Sequence, residues 1–248
     1  MLARWEAQLA TSVSGWDFSA LTGRMEEDSP PWDYEQVCRG RLAHAAHVAD
    51  LGTGGGEVLL RLADALPPDT TATEGWPPNV PVARQALAAH GIPVLDWDAD
   101  RVPFVPMPVS DGRFDLVMDR HESYAVGELA RVLSPGGVFL TQQVGSDHAR
   151  EPLEWFGGAS ARRTDWSLEE AVAQFVGSEL GVEQADEWHG AYRFANVAAL
   201  LRYFAVVPWD LPMGFSVRAH AVALRRLDRE PGPITMTKHR WLIVARHR

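Results

Sequence analysis

The chain has 248 residues, of which 46% are hydrophobic and 23% charged, enough for one α/β domain with a substantial core and ordinary for a soluble globular protein. A formal charge of −10 argues against a nucleic-acid partner, because such binding draws its affinity from Lys and Arg set against phosphates, and Lys238 is the single lysine. The one cysteine, Cys38, excludes an intrachain disulfide, and no Cys/His spacing suits zinc, so no metal is expected.

Residues 1–45 precede the first strand of the pattern. Helices are predicted near Leu2–Leu9 and Asp33–Ala46, around the turn Ser29-Pro30-Pro31, with Trp5, Trp16, Phe18, Trp32 and Tyr34 among them. Arg4 and Glu6 stand where a signal peptide would be apolar, which points to the cytoplasm. Val48-Ala49-Asp50-Leu51 then reads as a short strand, Gly52-Thr53-Gly54-Gly55-Gly56 as a tight turn, and Glu57–Leu66 as a helix stopped by Pro67-Pro68. Thr71–Gly75 is a second strand ending in an acid. Val80–His90 is a helix with Pro81 in its first turn, and Ile92–Leu95 a third strand. After a proline-rich exposed loop at Phe104–Gly112, Phe114–Asp119 is a strand, Tyr124–Leu133 a helix, and Pro135-Gly136-Gly137 a turn into a further strand.

Beyond residue 145 the pattern predicts an amphipathic helix over Trp166–Leu180 capped by Ser167, and a strand within Gly181–Phe194. Helices follow at Ala195–Tyr203 and Ser216–Leu227, then a buried final strand at Ile234–Arg246. The most apolar long stretch, Phe194–Val207, is interrupted by Asn196 and Arg202 and meets Pro208, too short to cross a bilayer, so no membrane partner is expected.

The glycine turn is the informative element. A dinucleotide fingerprint wants a glycine where Glu57 stands, and a carboxylate there would face a diphosphate. The spacing is instead D-x-G-x-G-x-G from Asp50. In order there follow the acid Glu74, then Asp96-Trp97-Asp98-Ala99-Asp100-Arg101-Val102-Pro103-Phe104, Phe114-Asp115-Leu116-Val117, and Leu129-Ala130-Arg131-Val132-Leu133-Ser134-Pro135-Gly136-Gly137.

This series, covering roughly residues 45–145, resembles the class I S-adenosylmethionine (SAM) dependent methyltransferases. The resemblance implies a three-layer αβα Rossmann-like fold with seven strands, the last antiparallel. It implies an N-terminal helical lid over residues 1–45 and a methyltransferase domain over 46–248, with a helical cap inserted at about 195–230. Cofactor contacts carried over from the family are Asp50, Gly52, Thr53, Gly54, Glu74, Gly75, Asp98, Ala99 and Arg120, with Asp98 on the adenine amine and Asp96 as its alternative. It further implies a monomer or homodimer acting on a small molecule, with secondary metabolism as a setting. The arginine- and alanine-rich composition suggests a GC-rich, bacterial source.

Methyl transfer from a sulfonium is an in-line displacement, so a base is needed only where the acceptor must lose a proton. The candidates are His121 and Glu122, which follow the fourth strand where the pocket of such folds opens; His148 and His189 are weaker ones. The bland alternative makes His121 a backbone contact and Glu122 a helix cap. Trp32, Tyr34, Tyr124, Trp155, Trp188, Tyr192 and Trp209 are the expected aromatic wall of the substrate pocket, with ordinary core packing as the alternative for about half of them. Arg162-Arg163 and Arg225-Arg226 are solvated faces or anion contacts. Two further readings remain: a methyltransferase acting on RNA or protein, against which stands the absence of an Asn/Asp-Pro-Pro-Tyr/Phe signature at Asp119-Arg120-His121-Glu122, and a non-catalytic SAM-binding regulator.

Overall fold

A computed structural model describes residues 1–11, 18–160 and 166–248. Its elements in chain order are α1 (Leu2–Leu9), β1 (Met25–Glu27), α2 (Tyr34–Leu42), β2 (His47–Leu51), α3 (Glu57–Arg61), β3 (Asp69–Glu74), α4 (Val80–Leu87) and β4 (Val94–Asp96). They continue with β5 (Phe114–Arg120), α5 (Val126–Val132), β6 (Leu133–Val144), α6 (Glu151–Phe156), α7 (Leu168–Ala173), β7 (Leu180–Phe194), α8 (Val197–Val206), α9 (Ala221–Arg229) and β8 (Ile234–His247).

The strands hydrogen-bond in the order β1-β7-β8-β6-β5-β2-β3-β4. β4, β3, β2, β5 and β6 pair in parallel. This is the mixed α/β architecture expected, with eight strands where seven were predicted. The added one is β1, from the segment read as helical: Met25–Glu27 lies antiparallel to Tyr192–Phe194. Asp28 fixes that edge, accepting from Ala191 N at 3.0 Å and from both Arg193 nitrogens at 2.6 and 3.0 Å.

By its contacts the chain forms two compact units, one of residues 31–144, 168–187 and 241–248, the other of residues 1–30, 145–167 and 188–240. In the first, α4 turns Val80, Ala83 and Leu87 inward at helical spacing, and α2 does the same with Tyr34, Cys38 and Leu42 behind its Asp33 cap. These close over Val48, Ala72, Leu116, Met118 and Leu140 of the strands. Each of the larger ones, Val48, Leu116, Met118 and Leu140, stabilises by about 1.5–3 kcal/mol, and Leu116→Ala alone is expected to cost about 2–5 kcal/mol.

The other unit is built on α8. Eight of its ten residues are buried, all but Arg202 and Ala205, and it packs with Trp5, Leu21, Phe194 and Leu224. Helices α8 and α9 fall within the segment expected to form a cap.

The long helix predicted over Trp166–Leu180 is instead the six residues of α7, followed by turns into β7. Gly177 has φ +78, a left-handed backbone that ends helices, and the Ser178 hydroxyl donates to Phe175 O at 2.8 Å. Helical periodicity there is real but the chain carries its own stop.

Candidate functional site

The C-terminal ends of β2, β3, β4 and β5 lie side by side, with the strand order reversing between β2 and β5, where open α/β sheets leave a crevice. The turn after β2 is tied to β3: Thr53 N donates to Thr73 O at 2.8 Å and Gly52 N to Thr73 Oγ1 at 3.2 Å. Glu74, 3% exposed, holds two loops at once, accepting from Gly54 N at 2.7 Å and from Trp76 N at 2.8 Å. A Cβ on Gly75 would stand 2.3 Å from Asp98 Oδ2, so only glycine lets that carboxylate lie against the backbone. Gly52, at φ +57, is required twice over: a Cβ there would be strained and would stand 2.4 Å from Glu122 Cγ.

The structure thus gathers Asp50, Gly52, Thr53, Gly54, Glu74, Gly75, Asp98 and Glu122, with Ala99 half-buried in the turn after Asp98. Asp96 is more exposed and forms an ion pair with Arg101 at 2.5 Å.

Around the end of β5 the residues alternate faces. Arg120 lies over the Tyr34 ring at 5.6 Å and its charge reaches Asp50, while Tyr34 OH donates to Asp119 O at 3.0 Å. Asp119 points to the opposite face and is fully buried. Its Oδ1 accepts Glu122 N at 3.1 Å. His121 is exposed and has φ +68, a left-handed backbone uncommon for a residue with a β-carbon.

Acids outnumber cations here. Burial pushes Asp50 up to about 7. Burial likewise pushes Glu122 up to about 7, with the carboxylates of Glu74, Asp98 and Asp100 adding to it. Asp119 is raised well above the carboxylate range by burial and then by Glu122. Carboxyls that release protons near neutrality in a crevice are suited to proton transfer.

Of the expected aromatic wall, Trp32 donates its indole N–H to Gln142 Oε1 at 2.8 Å, whereas Tyr34 and Tyr124 are buried, the latter edge-on to Phe139 at 4.9 Å. Trp155, Trp188, Tyr192 and Trp209 belong to the other unit. There Trp155 packs beside Phe156, Trp188 and Tyr192 flank the Lys238 ammonium at 6.0 and 5.2 Å, and Trp209 is 42% exposed. Trp16 and Arg162-Arg163 lie outside the described residues.

Sequence reasoning missed Asp119 and Gln143. The signal for Asp119 was present, since Leu116-Val117-Met118-Asp119 repeats the apolar run ending in an acid seen at Asp50. It also missed the convergence of Asp147, His189 and His239, whose potential ligand atoms lie within 4.8 Å of one another. Their sequence separation gave no hint of it. His239 Nδ1 accepts Asp147 N at 3.1 Å, which places the proton of a neutral ring on Nε2 and speaks against a metal at that nitrogen.

Residues 48–137 match the family model described as a methyltransferase domain. No curated protein sequence matches the chain. Among solved structures, the YcgJ protein of Bacillus subtilis aligns over 87% of this chain and 98% of its own, with a TM-score of 0.60 and 16% identity. A SAM dependent methyltransferase from Aquifex aeolicus aligns over 94% of this chain and 95% of its own, at a TM-score of 0.53 and 14% identity. A structure concerned with the conversion of a disulfide bond into a thioacetal group during echinomycin biosynthesis aligns over 98% of this chain and 88% of its own, at a TM-score of 0.57 and 18% identity. At these identities the likeness concerns the fold.

Proposed function

We propose, from the match of residues 48–137 to a methyltransferase domain, that the chain is a SAM-dependent enzyme of the class I kind that transfers a methyl group to a small-molecule acceptor at the crevice beyond β2, β3, β4 and β5. The observation that carries the reading is the acceptor-rich glycine turn: Asp50, Glu74, Asp98 and Glu122 surround it. A ligand bearing an ammonium, ribose hydroxyls and an adenine amine presents donors to such a set, whereas a diphosphate would be repelled by it. The residues present therefore fit SAM, with Asp50 and Gly52–Gly54 toward its amino-acid end, Glu74 toward the ribose and Asp98 toward the adenine. When bound, SAM supplies an electrophilic methyl on a positively charged sulfur.

The protein's own contribution is mainly orientation, an effect worth up to roughly 7–11 kcal/mol when reacting atoms are held in line. Glu122 holds a proton with a pKa of about 7, so at neutral pH it takes one from an acceptor hydroxyl or amine without a large mismatch. His121, exposed at the same turn, is the second proton acceptor. The excess of acids over bases supports a small acceptor over a polyanion. Secondary metabolism is the setting we propose, as in the echinomycin neighbour.

Calorimetric titration with SAM and S-adenosylhomocysteine, with NADH as control, tests the cofactor. Binding of both adenosyl ligands and not of NADH is expected, and labelled SAM then screens acceptors. Failure of both adenosyl ligands to bind would remove the reading.

A further inference from the structure

We propose that Asp119 and Gln143 are positioning residues for the transfer site: they clamp the turn that carries His121 and Glu122. Alternation along β6 puts Thr141 and Gln143 on the face of the sheet that Asp119 occupies, while Gln142 faces the other way toward Trp32. Gln143 Nε2 lies 2.7 Å from Glu122 O, 2.9 Å from Thr141 Oγ1 and 3.2 Å from each carboxyl oxygen of Asp119. Asp119 Oδ1 in turn accepts Glu122 N. Both backbone polar groups of Glu122 are thus held by two buried side chains, Gln143 being 4% exposed.

The clamp explains the backbone beside it. His121 N still continues the sheet ladder, donating to Gln142 O at 2.9 Å, and then the chain turns through a left-handed conformation at a non-glycine residue. Such a conformation persists only where its surroundings over-determine it. Its consequence is directional: the turn lays the Glu122 side chain on Gly52, at the glycine turn, and leaves His121 exposed. Released from the clamp, residue 121 relaxes to an ordinary φ and Glu122 swings off Gly52. The inference rests on the reading of this crevice as the transfer site.

The test is a double-mutant cycle on the protein without ligand, read as thermal midpoints, followed by kinetics. His121→Gly is expected to raise the midpoint of the wild type, because glycine adopts a positive φ without strain. In Gln143→Leu, where the turn has already relaxed, the same glycine is expected to raise nothing. An equal rise in both backgrounds overturns the clamp. Asp119→Ala, which removes the acceptor of Glu122 N, is run in parallel, so that a Gln143→Leu chain that does not fold leaves the cycle intact. With SAM and an acceptor, Gln143→Leu is expected to lower kcat on the order of 100-fold, as small misplacements of reacting groups do, and by far more than it weakens the calorimetric affinity for SAM. A merely structural glutamine would lower the folded fraction and leave kcat per folded molecule unchanged. If wild type binds no SAM, the functional reading fails while the cycle still decides the clamp.

Discussion

Two buried polar clusters, one in each unit, are built in opposite ways. In the unit of residues 1–30, 145–167 and 188–240, buried charge is paired. Arg240 donates to His148 Nδ1 at 3.1 Å and to Tyr192 OH at 3.0 Å, Tyr203 OH donates to Asp210 Oδ2 at 2.8 Å, and Lys238 Nζ reaches Glu27 at 2.6 Å. At the glycine crevice of the other unit, Asp50, Glu74, Asp119 and Glu122 crowd together with the Arg120 charge acting on Asp50. Paired burial fixes a fold. Burial that pushes Asp50 and Glu122 up to about 7 opposes folding and is retained where chemistry uses it.

If that contrast is right, breaking each side gives a different phenotype. Arg240→Ala strips the cation from a closed network and is expected to cost about 3–5 kcal/mol in denaturant unfolding, the range for breaking a buried pair, with no change in SAM affinity of the folded protein. Glu74→Ala removes the acceptor of Gly54 N and Trp76 N. Hydrogen bonds to a charged group contribute about 1.5–3 kcal/mol each, so calorimetry should show SAM affinity falling by about 100-fold. Glu74→Gln, which keeps one acceptor, should fall between.

The crevice was legible because its demands are local. A turn that needs positive φ at Gly52 and room beside Gly75 admits glycine alone, and the acids stand at the ends of apolar runs, so Asp50, Glu74 and Asp98 could be read from order and spacing. What escaped depends on register between strands. Asp119 meets Gln143 only because β5 pairs with β6 so that Asp119 faces Thr141, and no local pattern encodes that pairing. The same holds for β1, three residues without alternation whose partner lies more than 160 residues along the chain. Aromatic content is ambiguous for another reason: Tyr34 and Tyr124 carry hydroxyls yet are buried, as core packing also requires.

The crowded acids also predict a pH dependence with a definite sign. Glu122 holds its proton up to about 7 in the folded chain and to about 4.3 when unfolded. Between those values the folded state binds the extra proton, so stability falls as pH rises from about 4 to about 7 and stays lowered above. Glu122→Gln removes that loss. It should match wild type below pH 4 and exceed it by up to about 3 kcal/mol above pH 7, less whatever solvent screening removes. Thermal midpoints across this range decide it; parallel curves for the two proteins would mean that Glu122 is not charged against its surroundings. The kinetic counterpart separates the two bases, since a rate that rises through pH 7 in His121→Ala and not in Glu122→Gln assigns the proton to Glu122.

The smallest effect discriminates most finely, because it separates two acids two positions apart on the same segment. The Asp96 side chain is 59% exposed and spends its charge on Arg101, an exposed pair of the kind worth about 0–1 kcal/mol. The Asp98 side chain is 23% exposed, stands farther from Arg101, with Oδ2 3.7 Å from its Nε, and lies against Gly75, just after the strand that carries Glu74. Losing one hydrogen bond to a charged acceptor costs about 1.5 kcal/mol, so Asp98→Ala should weaken SAM about tenfold while Asp96→Ala leaves it at the wild-type value. S-adenosylhomocysteine should lose the same factor, because it shares the adenine, whereas methionine competing at the other end should lose nothing. The opposite ranking would move the adenine to Asp96 and turn the crevice outward by one step of the β4 register, leaving Gly75 without its reason to be glycine.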